Sequence, residues 1–230
     1  MRPTALMLFA AGFGTRMGAL TKSRPKPLIE VAGKALLEHA LDQRKGVALS
    51  NTVVNSHYLG DQIAAHLTGR DDITISAEAP DILDTGGGLR QALPLLGSGP
   101  VFTMNTDAVW TGEGALAQLE NAWDDDRMDA LLLLVPRDQA VGHNGKGDFV
   151  IAADGKIRRG PGHIYTGAQI IRTDLLGTIP ETAFSLNLLW DRMLEQGRMY
   201  GLEHQGGWCD VGHPGGIDLA ESMLHEAKDG

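Results

Sequence analysis

A short apolar strand that runs directly into a glycine-rich, cationic loop constrains this chain more than anything else in it. Residues 5–10 (Ala-Leu-Met-Leu-Phe-Ala) form an apolar run of a length that suits a buried strand. The chain then turns through glycines at 12, 14 and 18. Glycine has no Cβ, so the backbone there can turn sharply and approach a ligand closely. Unpaired loop N–H groups can converge on an anion. Residues 16–34 hold five cations (Arg16, Lys22, Arg24, Lys26, Lys34) against one acid, Glu30, in a chain whose net charge is −9. A cationic loop in an acidic protein suits a small polyanion. From the residues alone, a tight strand-to-helix turn with a solvated charged face remains the competing account.

Two familiar phosphate motifs are excluded by the letters. The dinucleotide fingerprint needs a third glycine three residues after Gly14, and position 17 is Met17. The P-loop needs Gly-Lys followed by Ser or Thr, with a glycine five positions earlier. Neither Gly33-Lys34 nor Gly145-Lys146 satisfies it.

The rest of the chain alternates strand and helix patterns, which predicts an α/β fold with a mostly parallel, Rossmann-like sheet flanked by helices. Strands are expected at Thr52–Asn55, Ile73–Ser76, Val101–Asn105, Ala130–Val135, His163–Ile171, Met199–Glu203 and Gly207–Cys209. Helices are expected at Lys34–Lys45, Asp61–Leu67 with Asp61 as N-cap, Gly86–Leu96, Gly114–Trp123, Phe184–Glu195 and Gly216–Ala227. Residues 137–147 lack hydrophobic periodicity and read as a mobile loop or lid. Residues 148–158 read as a hairpin around a two-residue Asp154-Gly155 turn. At 230 residues the chain fits one domain, with room for a small appendage. One cysteine, Cys209, allows no intramolecular disulfide and suggests a reducing, cytoplasmic setting. No apolar run reaches the ~20 residues that span a bilayer. The acidic balance argues against nucleic acid and anionic membranes as partners.

Two acids stand where chemistry is expected. Asn105-Thr106-Asp107 closes a predicted strand, and open α/β sheets bind ligands beyond the carboxyl ends of their strands. Asp210 follows Trp208-Cys209 near the C-terminus. Taken alone, Asp107 reads equally well as a cap for the following segment, and a lone Asp in a turn, such as Asp210, is usually structural.

The loop Phe9-Ala10-Ala11-Gly12-Phe13-Gly14-Thr15-Arg16-Met17, followed by Arg24-Pro25-Lys26-Pro27-Leu28, resembles the signature of the sugar-phosphate nucleotidyltransferases, L-A-A-G-x-G-T-R-[ML] and P-K-P-L. The resemblance extends along the chain. Asn105-Thr106-Asp107 stands where that family has N-G-D, and Trp208-Cys209-Asp210-Val211-Gly212 matches W-x-D-[VI]-G. Asp84-Thr85-Gly86-Gly87-Gly88 and Gly142-His143-Asn144-Gly145-Lys146-Gly147-Asp148-Phe149 are similar to runs of the N-acetylmuramate-1-phosphate uridylyltransferases, and Tyr165-Thr166-Gly167-Ala168 resembles the wider family's F-[ST]-G-I strand. Asp84, Asn144 and Lys146 depart from those runs, Thr106 replaces a glycine, and Gly18-Ala19 stands where many members carry a proline.

The resemblance implies transfer of a nucleotidyl group from an NTP to a sugar 1-phosphate, with release of pyrophosphate. It implies Arg16 and Lys26 as catalytic residues and Mg²⁺ held by Asp107 and Asp210. Ala11, Gly12, Gly14, Thr15, Glu78, Gly87 and Asn105 would bind the nucleotide. Asp148, Thr166 and Gly167 would bind the sugar, with residues 1–136 mainly nucleotide-binding and a small portion in 137–230 mainly sugar-binding and carrying the second metal carboxylate. UTP with N-acetylmuramate 1-phosphate is the favoured pair, on a monomer. A mannose- or heptose-1-phosphate guanylyltransferase is the alternative enzyme. A silent sugar-nucleotide-binding regulatory subunit is the alternative of another class.

Overall fold

The apolar run Ala130–Val135 is buried at every position, as a strand covered on both faces must be. The computed structural model of the chain, described over residues 1–229, sets this strand in a seven-stranded sheet. In chain order the elements are β1 (Ala5–Phe9), β2 (Glu30–Val31), β3 (Lys34–Ala35), α1 (Leu36–Asp42), β4 (Asn51–Ser56), α2 (Gly60–His66), β5 (Ile73–Ala77) and α3 (Asp84–Leu96). Then come β6 (Val101–Asn105), β7 (Ala108–Trp110), α4 (Ala115–Ala122), β8 (Ala130–Val135), β9 (Ala140–Val141), β10 (Phe149–Ile151) and β11 (Ile157–Arg159). The chain closes with β12 (Ile164–Ile171), α5 (Asn187–Glu195), β13 (Met199–Glu203), β14 (Trp208–Asp210) and α6 (Gly215–Asp229).

The main sheet runs β13-β8-β12-β6-β1-β4-β5. Its pairings are parallel except those of β12, which is antiparallel to both β6 and β8. The mixed, mostly parallel α/β sheet expected from the sequence is therefore what forms. Alternation along each strand divides the core in two. Leu6, Leu8, Phe102, Met104, Leu131 and Leu133 pack with α1 and α4 on one face. Met7, Val53, Leu132 and Leu134 pack with α3 and α5 on the other. Fully burying a side chain of this size contributes about 1.5–3 kcal/mol. A smaller sheet, β7-β14-β9, stands beside the main one, with α6 supplying Ala220 to its core. Among the described residues no helix is long and apolar enough to cross a membrane.

Several local expectations are corrected. Lys34 and Ala35 are not helical: they pair with Glu30 and Val31 across a two-residue turn, Ala32-Gly33, in which both residues have positive φ. Asp61 is not the N-cap of α2. Leu59 caps it at φ 51°, and Asp61 lies in the first turn. Residues 184–186 stay outside α5, since Phe184 is used elsewhere: its N–H donates to Leu83 O, and its carbonyl accepts from the N–H groups of Gly86 and Gly87. The 137–147 segment is partly ordered, because Ala140 and Val141 pair parallel with Trp208 and Cys209. The hairpin of β10 and β11 forms with a three-residue loop, Ala153 to Gly155, in which Gly155 takes φ 84°.

Candidate active site

The carboxyl ends of β1, β4, β5 and β6 meet at one edge of the sheet and surround a cavity of about 300 Å³. The position is the one open α/β sheets offer, where strand order departs in opposite directions from β1. At the end of β1 the Ala10 N–H donates to Asn55 Oδ1 at 2.6 Å. The loop then turns on Gly14, at φ 63°. A Cβ there would meet Lys26 Cβ at 2.8 Å and Thr21 Cγ2 at 2.9 Å, so the position needs glycine twice over. Thr21 Oγ1 donates back to Gly14 O at 3.0 Å. Lys26, in a short 3₁₀ turn between Pro25 and Ile29, is buried, and its Nζ lies 2.8 Å from Asp107 Oδ2.

Asp107 and Asp210 come together through strand pairing. β14 lies antiparallel to β7, with Asp210 opposite Ala108, and the Val211 N–H donates to Asp107 O at 2.9 Å. Thr106 sits between Asn105 and Asp107 with its side chain turned inward, its hydroxyl donating to Phe9 O at 2.7 Å. The Cβ that replaces the family's glycine is thus used to tie β6 to β1. Burial first, and the nearby Asp107 charge second, push the Asp210 carboxyl above its ordinary range, while Lys26, Arg16 and His143 oppose the shift. His143 Nδ1 lies 3.7 Å from Asp210 Oδ2. A Cβ on Gly212 would reach both Asp210 oxygens at 3.0 Å and Arg16 Nη1 at 3.1 Å, so Arg16 and Asp210 share this corner. Two carboxylates beside a held Lys26 and an exposed Arg16, next to a cavity, can organise a polyphosphate and a metal ion.

The residues expected from the sequence are placed as follows. Ala11, Gly12, Gly14, Thr15, Arg16, Lys26, Glu78, Asn105 and Asp107 line the same cavity; Asp210 does not, but its carboxylate lies beside Gly212, which does. The Glu78 carboxylate is fully engaged with protein: Oε1 accepts from Asn55 Nδ2 and Oε2 from the Leu83 N–H, both at 2.7 Å. It shapes the 78–83 loop from beneath.

Gly87 does not line that cavity. A Cβ there would meet Thr182 O at 2.5 Å, and its N–H is bound to Phe184. The three glycines of α3 are packing glycines, with Gly86 against Phe184 and Gly88 against Glu78. Asp148 and Thr166 also stand outside it. Asp148 Oδ2 accepts from the Tyr165 N–H at 2.9 Å, and Thr166 Oγ1 donates to Leu133 O at 2.6 Å. Gly167 occupies an irregularity of β12, at φ 88°, where a Cβ would strike the Asn105 side chain at 2.9 Å. It brings β12 against a cavity-lining residue without lining the cavity. Sequence reasoning missed Asn55 and His143. The signal for Asn55 was present: an amide directly after Val53-Val54 in a buried strand must find partners inside.

A model of the MobA-like NTP transferase domain matches residues 6–183. The N-acetylmuramate alpha-1-phosphate uridylyltransferase of Caulobacter vibrioides is 41% identical, over 98% of both chains. The protein of the same name from Neisseria meningitidis serogroup B is 34% identical, over 90% of this chain and 92% of its own. Among solved structures, HddC from Yersinia pseudotuberculosis, complexed with GMP-PN, shares the fold. Its TM-score is 0.74 at 21% identity, over 97% of this chain and all of that one. Fold, site and relatives agree that this chain belongs to the MobA-like NTP transferase family, as a sugar-1-phosphate nucleotidyltransferase.

Proposed function

We propose that the enzyme joins UTP to N-acetylmuramate 1-phosphate, giving UDP-N-acetylmuramate and pyrophosphate. The observation that carries the chemistry is the convergence of Arg16, Lys26, Asp107 and Asp210 at one end of the sheet. The choice of substrates rests on the names of the two relatives that align along nearly the whole chain. A phosphomonoester is largely a dianion near neutral pH and is already a nucleophile. The site's task is to bring two polyanions together and offset their charge. Residues 1–136 bind the nucleotide. The glycine loop presents Ala11, Gly12, Gly14 and Thr15 to its phosphates, with Asn105 and the Glu78-braced loop around the nucleoside. Residues 137–230 take the sugar, with Asp148, Thr166 and Gly167 shaping that side. Arg16 holds the departing pyrophosphate, and Lys26 bridges the reacting phosphates.

The paired acids Asp107 and Asp210 fit a divalent cation: their mutual repulsion is relieved by one, and two carboxylates leave other ligand positions to phosphate and water, as Mg²⁺ prefers. Mg²⁺ bound there would neutralise phosphate charge as it develops. We place the reaction in the cytoplasm, on a chain acting alone.

The test is pyrophosphate release with UTP or GTP against N-acetylmuramate, mannose and glucose 1-phosphates. Turnover confined to UTP and the muramate supports the reading. Turnover with GTP and mannose 1-phosphate keeps the chemistry and overturns the substrates. No turnover by folded protein overturns the assignment.

The buried bracket beneath the nucleotide makes a separate prediction. In Gly88→Ala the new Cβ would lie 2.5 Å from Glu78 Oε1 and 3.0 Å from Asn55 Nδ2. Prising apart a buried, paired carboxylate costs about 1–3 kcal/mol. A lower Tm and a higher KM for the NTP are expected, with the sugar-phosphate KM unchanged. Thermal melts and steady-state kinetics check it.

A further inference from the structure

The end of β4 holds two loops that contribute to the cavity, and two of its residues do so without lining it. Tyr58 Oη donates to Thr21 O at 2.9 Å, with Lys22 O at 3.3 Å. Gln62 Nε2, one turn on, donates to Ser23 O at 3.0 Å. The Phe13 ring meets His57 edge-on, with centroids 5.6 Å apart, and lies 5.7 Å from Tyr58. Two segments of the glycine loop, at residues 13 and 21–23, therefore rest on 57–62. On its other side His57 Nδ1 lies 3.0 Å from Glu78 O, the start of the loop that Asn55 and Glu78 brace. Neither His57 nor Tyr58 belongs to the cavity wall.

We propose that the His57–Tyr58 turn is a positioning clamp that locks the glycine loop against the 78–83 loop and so sets affinity for the nucleotide rather than the rate of its chemistry. The assignment of nucleotide to this cavity rests on the reaction proposed above. The clamp itself rests on the contacts. Residues 13–24 include two glycines, Gly14 and Gly18, and exposed side chains at Phe13 and Leu20, and hold little core of their own besides Met17 and Thr21. A loop of that kind samples open forms unless it is fastened. Apparent affinity falls in proportion to the fraction that is competent to bind. Once nucleotide is bound it holds the loop itself, so the bound complex reacts normally.

Tyr58→Phe keeps the ring beside Phe13 and removes the donor. The KM for UTP is expected to rise about tenfold, the scale of one lost hydrogen bond. kcat and the KM for N-acetylmuramate 1-phosphate stay within about twofold. In the free protein, amide hydrogen exchange across residues 13–24 accelerates. Saturating UTP restores protection. Gln62→Ala, which removes the second donor onto the same loop, moves the same amides. Unchanged exchange at 13–24 in both variants overturns the clamp. So does a fall in kcat at unchanged UTP KM, or an equal rise in both KM values. The exchange measurement on the free chain needs no substrate. If wild-type protein failed to turn over UTP with the muramate, the reaction reading would fall and the clamp would still be decided.

Discussion

Lys26→Ala is expected to lower kcat by about 10²–10³, or roughly 2.7–4 kcal/mol of transition-state stabilisation, the scale of losing one preorganised donor. The argument begins with how the side chain is held. Pro25 and Pro27 flank it, and the 3₁₀ turn is closed by Leu28 N–H to Pro25 O at 2.9 Å and Ile29 N–H to Lys26 O at 3.0 Å. Its stem passes directly under Gly14, and its ammonium ends 2.8 Å from Asp107. The charge is thus placed before any substrate arrives and needs no reorganisation during reaction. Stability should fall as well, because the Lys26 stem is buried and its loss leaves Asp107 unpaired beside Asp210. Lys26→Arg should not rescue activity, because a planar guanidinium cannot place its charge at the same point beside Asp107. The measurement is kcat at saturating substrates alongside a urea midpoint. Near-normal turnover in Lys26→Ala would remove the lysine from the chemistry.

What the sequence made legible, and what it hid, follows from the range of the forces involved. β6, β8 and β13 form over the residues their apolar patterns marked, because hydrophobic burial acts through every residue of the strand. β7 and β9 have three residues and two, too few for any period, and exist only because β14 arrives between them from far along the chain. The same pairing sets Asp210 beside Asp107. Their meeting was legible only through the resemblance and never through spacing. Gly87 shows the opposite hazard. A glycine run at a helix start reads as a ligand cradle, yet here each glycine clears space for a protein neighbour, because Phe184 and Thr182 press against that end of α3. Burial against a distant segment and burial against a ligand leave the same letters behind. The enzyme class was legible because the Gly14, Arg16 and Lys26 constellation is local. The clamp from β4 was not, since it depends on the order β1-β4-β5 in the sheet.

Asp210→Asn should abolish most of the activity and at the same time make the metal-free protein more stable. The substitution preserves shape and removes one of the two charges available to a divalent cation. A loss of about 10²–10³ in kcat/KM is expected at fixed Mg²⁺, with a higher Mg²⁺ concentration needed for half-saturation. The stability change runs the other way. Burial and the Asp107 charge raise the Asp210 carboxyl above its ordinary value of 3.8 in the folded protein. A raised carboxylate pKa means the folded state binds the proton more tightly than the unfolded chain does. Ionised Asp210 therefore destabilises the fold, fully so above its folded pKa. Asparagine removes that penalty. With metal chelated, Asp210→Asn is expected to melt above wild type at pH 8. The difference should shrink as pH falls through the folded pKa and vanish below the ordinary aspartate value, where both states of the wild-type residue are already protonated. Melts in chelator across pH 3–8, beside activity titrated with Mg²⁺, check both halves. An inactive variant that is also less stable at pH 8 would make Asp210 a structural residue. A variant that is more stable and inactive is the signature of a charge kept at a stability cost for the metal it holds.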